Sequence, residues 1–214
     1  MFVIGIDLSG PSNLKDTALA CFKEENGSLQ LVGHQLNIGD KEIFDLVNQL
    51  AHVNDIVIGL DAPLSYNLGG GDRPGDKKLR GKIIQVGMPP GSVMPPTMTR
   101  MVYLTLRGVT LAKVLKNIKS ESIKIVEIHP TAAMGLRGAP LEHVTKLKSN
   151  IPAQRALLGW LEQRGLSGLS VLQASGDHML AACACAYAAW QWHEIKAVWL
   201  EPANPPFHPF DYAC

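Results

Sequence analysis

The sequence predicts an α/β fold in which one mixed sheet, an antiparallel meander followed by parallel strands, is flanked by helices and interrupted by an inserted flap. Three observations predict it. Three strand-like segments crowd the first 36 residues with turn chemistry between them. An amphipathic segment then leads into a short, wholly apolar strand. A second pairing of long helix and apolar strand follows a stretch too rich in glycine and proline to belong to the sheet.

The elements follow in order. Phe2 to Asp7, Thr17 to Phe22 and Ser28 to Leu36 read as strands, the last two joined by the turn-like KEENGS, which makes them neighbours in a meander. Lys41 to His52 carries Ile43, Phe44, Val47 and Leu50 at helical spacing, with Asp40 as its expected N-cap. DIVIGLDAP is a buried strand ending at Asp61, closed by Pro63, and a helix followed by such a strand implies a crossover to a parallel position. From Leu64 to Pro96 the glycine and proline content predicts an irregular flap over a site. Thr97 to Asn117 reads as a long helix, SIKIVEIHP as a strand, and Ile151 to Arg164 as a helix. Gly176 to Glu194 is a helix whose many small residues predict close approach to the sheet. AVWLE is a candidate late strand, and the proline-rich tail has no regular expectation.

A chain of 214 residues fits a single domain spanning 1–214, with the flap at about 64–96 and the tail at about 201–214. It shows no leader-like start and no apolar run of membrane-spanning length, so a soluble, cytoplasmic protein without a membrane partner is expected. Cys21, Cys183, Cys185 and Cys214 lack metal-ligand spacing and read as buried small hydrophobes in a reducing compartment. A net charge of +1 argues neither for nor against nucleic acid, and any basic footprint must be local. The most basic short segment is Asp72 to Lys82, where five Lys and Arg face two Asp.

Four acids stand at the ends of buried elements: Asp7 after the first strand, Asp61 after the fourth, Glu127 on the fifth, and Asp177 at the start of the small-residue helix. In a sheet with parallel central strands, the carboxyl ends share one edge, where ligand sites form. Clustered acids repel unless cations sit among them. All-oxygen donors suit Mg²⁺ or Mn²⁺, and two such ions activate water and stabilise the leaving oxygen of a phosphodiester. Each acid also has a plainer reading: Asp7 and Asp61 as turn formers, Asp177 as complement to its helix dipole, Glu127 as a salt-bridge partner. His129, two residues beyond Glu127, shares its face and is either a proton donor to a leaving group or a satisfied structural histidine. His178 reads as exposed on the helix start. Trp160, Trp190, Trp192 and Trp199 read as packing residues.

At these residues the chain resembles the RNase H-like fold, whose nucleases, resolvases and transposases carry metal-binding acids on the first strand, the fourth strand and a late helix. GIDLSG, IGLDAPLS, RPGDKKLR, VEIHP and GDHMLAACACAYAA together, over roughly Phe2 to Trp190, resemble more closely a predicted-nuclease family of that fold that is known as a domain of unknown function. The resemblance implies that Asp7, Asp61, Glu127 and Asp177 form one acidic, Mg²⁺- or Mn²⁺-binding site with catalytic roles. It also implies a substrate-binding pattern at Arg73, Asp76 and Arg80. Those arginines either clamp a phosphate bidentately or pair with Asp76 and the acidic edge.

The leading expectation is therefore a divalent-metal-dependent nuclease of the two-metal type acting on nucleic acid. Two other classes compete with it. One is a domain that binds a metabolite or nucleic acid without chemistry. The other is an ATP-dependent phosphotransferase of the sugar-kinase and actin type, against which stands the lack of a second glycine-rich phosphate turn.

Overall fold

A computed structural model describes residues 1–118 and 121–214. The meander forms as the strand patterns require: β1 (Phe2–Asp7) pairs antiparallel with β2 (Ala18–Glu25), and β2 with β3 (Ser28–Leu36), with a register shift between Cys21 and Phe22. Helix α1 (Asp40–Ala51) then returns the chain so that β4 (Ile56–Asp61) lies parallel to β1. Gly39 caps α1 in place of the expected Asp40, whose carboxylate instead meets Arg107 at 2.7 Å. Helix α2 (Pro74–Gln85) and helix α3 (Val102–Lys116) precede β5 (Ile123–Ile128), which pairs parallel with β4. Helices α4 (Pro130–Leu136), α5 (Leu141–Val144) and α6 (Ile151–Glu162), the short β6 (Leu166–Ser167) and helix α7 (Gly176–His193) follow. Strands β7 (Leu200–Glu201) and β8 (Asp211–Ala213) close the chain. Among the described residues the eight strands make one mixed sheet, in the order β6-β3-β2-β1-β4-β5-β8-β7.

The alternation of strand side chains divides the interior in two. Ile4, Ile6, Ile56, Ile58, Leu60, Ile123 and Ile125 face α1 and α3. Val3, Val57, Val126 and Ile128 face the opposite layer, which contains α7 and α4. Each large side chain fully buried in these layers contributes roughly 1.5–3 kcal/mol.

Two expectations for irregular segments are corrected. The flap contains a twelve-residue helix, α2, because Pro74 occupies its first position and Asp76, at the third, accepts the Arg73 backbone N–H at 2.8 Å. Both are helix-start signals, and they prevail over the glycine and proline on either side. The tail supplies β8, which adds to the edge of β5 and buries Tyr212, Ala213 and Cys214. The four cysteines are buried and unpaired, as expected, and burial pushes the thiols of Cys21 and Cys183 up to about 12. No helix among the described residues is long and apolar enough to cross a membrane.

The small residues of α7 let it lie against the sheet at backbone contact. A Cβ added to Gly5 would stand 1.9 Å from the Ala182 carbonyl oxygen, and one added to Gly59 would stand 2.5 Å from that of Cys185. Gly5→Ala must therefore push a whole helix away from the sheet. The expected loss is about 3 kcal/mol, the upper part of the overpacking range, read as a lower urea midpoint at unchanged slope.

Candidate acidic site

The glycine contacts explain where the acids point. Asp7 lies two residues beyond Gly5 on the same face of β1, a displacement of about 6.6 Å. The corresponding step on α7 is the four residues from Ala182 back to His178, just over one turn and about 6.0 Å. His178 Nδ1 accordingly meets Asp7 Oδ2 at 2.7 Å, and its Nε2 lies 3.8 Å from Asp16 Oδ1. The expectation that His178 is merely exposed at the helix start is corrected: it is a rim residue of the site, with its side chain 39% exposed.

Asp7 and Asp61 are register partners on adjacent parallel strands, so their carboxyl groups project side by side. Burial raises the Asp7 carboxyl, an effect opposed by the hydrogen bond and charge of His178. Asp61 is raised well above the ordinary carboxylate range by burial and by the charge of Asp7 beside it. The His178 imidazole is raised in turn, chiefly by its bond to Asp7. Asp177, partly buried in the first turn of α7, lines the same cavity, and its charge further raises Asp7.

Glu127 takes a different course. Its register partner on β4 is Leu60, so it alternates out of step with Asp61, yet at the strand end it lines the same cavity and its charge is felt at Asp61. There Arg73 holds it through two nitrogens, Nη1 to Oε2 at 2.7 Å and Nη2 to Oε1 at 2.5 Å. Arg73 also pairs with Asp76 at 2.8 Å, and the Leu64 backbone N–H donates to Glu127 Oε2 at 2.8 Å. Arg73, Asp76 and Glu127 are all buried, and the Arg73 guanidinium stands 5.2 Å from the centre of the Tyr212 ring. Of the two readings of the basic segment, the geometry is that of ion pairing: Arg80 likewise holds Asp72 through two bonds of 2.7 Å and donates to the Val93 carbonyl at 2.8 Å.

His129 lies just past the end of β5 and caps α4. Its Nδ1 accepts from the Ala132 N–H at 3.3 Å, which leaves the proton on Nε2 to be donated to the Ser92 carbonyl at 2.8 Å. Burial lowers its pKa, so the ring is a neutral clasp between α4 and the flap. Of its two sequence readings, the satisfied structural histidine is the one the geometry matches. Neither ring nitrogen is left for a leaving group.

Asp7, Asp61 and Asp177 open on a cavity of about 390 Å³ at the carboxyl edge of the central strands, and the Arg73-paired Asp76 and Glu127 line it as well. Its walls include Met88, Met94, Met101, Leu104 and Leu147, and Lys148 stands on its rim. Among the described residues no group of three or more His, Cys, Asp or Glu converges tightly enough to hold a metal ion by itself. Lys148 and Tyr212 escaped the sequence reading because one lies in a turn and the other in a three-residue strand, and neither segment has a periodicity to reveal it.

A comparison with curated proteins finds no match. A family described as "Protein of unknown function (DUF429)" matches residues 5–204, nearly the whole chain and every residue of the acidic site. The chain belongs to the DUF429 family.

Proposed function

We propose that this chain is a divalent-metal-dependent hydrolase of phosphate esters, in first place a nuclease, working from the Asp7–Asp61 pair with Asp177 beside it. One observation carries the proposal. Two carboxyl groups are held side by side at the ends of adjacent parallel strands, facing a cavity, with a single half-exposed histidine as their cationic partner. Two carboxylates held side by side repel when both are ionised, and a cation bound between them relieves that repulsion.

The donor set fits Mg²⁺ or Mn²⁺. Mg²⁺ is commonly held by only one or two carboxylates, with water and substrate phosphate completing its shell, so the pair suffices without a third converging side chain. Asp7 and Asp61 would hold the ion, and Asp177, which lines the same cavity, would orient water beside it. Glu127, already paired with Arg73, falls outside this set, so of the four expected ligands two would hold the ion and Asp177 would act beside them. A divalent ion bound there supplies a water of lowered pKa and offsets the charge that develops on the leaving oxygen. The chain's own part is to fix the first carboxylate through His178 and to shield one side of the site with the methionine-lined wall. The position of the acids, on the first strand, the fourth strand and a late helix, supports the RNase H-like reading.

Titration calorimetry with Mn²⁺ and Mg²⁺ tests the proposal. Saturable binding accompanied by a rise in melting temperature is expected. Absence of both at saturating metal removes the basis of the hydrolase reading. The largely apolar wall favours a second reading, a site that binds a metabolite without chemistry. Ligand binding undiminished by chelation of divalent ions would support that instead.

A further inference from the structure

The cavity wall contains three cationic side chains, Arg73, His178 and Lys148. Arg73 is committed to Glu127 and Asp76, and His178 to Asp7. Lys148 has no carboxylate within salt-bridge distance among the described residues, yet its charge is felt at Asp61 and at His129. The turn that carries it, between α5 and α6, is fixed. Leu147 is buried and its carbonyl accepts from Gln154 Nε2 at 2.6 Å, while the Asn150 side chain caps α6 by accepting from the Ala153 N–H at 2.8 Å. A free ammonium group is thus held on a rigid turn across from the acid pair, where an anion would otherwise be repelled by Asp7, Asp61 and Asp177.

The size and the walls of the cavity restrict what that anion belongs to. Cavities of roughly 300–1,000 Å³ take one small molecule, and this one lies near the lower end at about 390 Å³. A protein that grips a duplex buries about 1,000–2,500 Å² and neutralises several phosphates with a basic surface. Among the described residues the wall offers one uncommitted cation, and its methionines and leucines suit an apolar or aromatic group.

Resting on the hydrolase reading above, the geometry points to a site that takes one phosphate group carrying a single nucleoside-sized substituent, with Lys148 as the residue that binds the phosphate oxygens. The chemistry is shared by a free nucleotide-like ester and by the phosphorylated end of a single strand. A continuous duplex does not fit it.

The test is calorimetric binding of inorganic phosphate to the full chain loaded with Mn²⁺, comparing the wild type with Lys148→Ala and Lys148→Arg. Lys148 is exposed, so neither substitution threatens the fold. The expected result is a loss of phosphate affinity of about tenfold or more in Lys148→Ala, as for a charge-assisted hydrogen bond, and a much smaller loss in Lys148→Arg. Equal affinity in all three proteins, with Mn²⁺ binding intact, overturns the inference and leaves the hydrolase reading standing. If the wild type binds no Mn²⁺, that reading falls by itself. The Lys148 comparison is then made without metal, where a Lys148-dependent phosphate site still supports the inference and its absence overturns it. A nucleoside monophosphate and a 5′-phosphorylated single strand, titrated in the same way, separate the two sources, and Lys148-dependent binding of either supports the site. Equally tight binding of a circular duplex, which has no ends, overturns the restriction to a single phosphate unit.

Discussion

Replacing Arg73 with methionine is expected to destabilise the chain by about 3–5 kcal/mol, the cost of leaving buried charge without its partner. The side chain keeps its volume but abandons Glu127 and Asp76, both buried, and gives up its contacts with Ser65 and the Tyr212 ring. Four segments lose a common anchor: the start of α2, the end of β5, the loop after β4 that Leu64 ties to Glu127, and the terminal strand β8. Urea denaturation at neutral pH measures the loss. Adding Glu127→Gln to Arg73→Met should recover part of it, because the amide removes one of the two stranded charges. The non-additivity between the two substitutions is expected within about 0.5–3 kcal/mol. A loss below about 1 kcal/mol for Arg73→Met would place the cluster among ordinary surface pairs and contradict its burial.

Much of the fold was legible because the strands and helices carry their own periodicity. The meander, the crossover from α1 to a parallel β4, and the close approach of α7 follow from local pattern, and the structure contains all three. The two segments that were not legible are stabilised by partners remote in sequence. Helix α2 begins on a proline and an acid, but the acid also needs Arg73, and Arg73 needs Glu127. Strand β8 has three residues and exists only because β5 offers a free edge.

The acidic site divides along the same line. Asp7 and Asp61 were legible as strand ends, and the parallel pairing that the crossover implied makes them neighbours. The diversion of Glu127 depends on the register between β4 and β5, which pairs it with Leu60 and so sets it out of step with Asp61. A slip of one residue would reverse that orientation. The bond from His178 to Asp7 depends in turn on how far α7 slides along the sheet, which Gly5 and Ala182 decide together.

Asp61→Asn is expected to reverse its effect on stability according to whether metal is present. Without divalent ions the variant should be the more stable protein at neutral pH. The wild-type Asp61 carboxyl is raised in the folded state by burial and by Asp7, so between the ordinary carboxyl range and that raised value the native state binds more protons than the unfolded chain. Stability in that window must therefore fall as pH rises, by at most about 1.4 kcal/mol per pH unit for one group, and is fully retained below it. Asparagine does not titrate, and its amide can donate to Asp7, so the two proteins should converge in acid and separate towards neutrality. With Mn²⁺ at a hundredfold excess over its dissociation constant, the wild type should gain about 2.7 kcal/mol by linkage, and the variant, lacking one of the paired oxygen ligands, much less. Thermal melts across pH, with and without Mn²⁺, read both effects. A variant less stable than the wild type at neutral pH in the absence of metal would make Asp61 a structural turn residue, because only an acid that the fold itself disfavours needs a cation to justify its place.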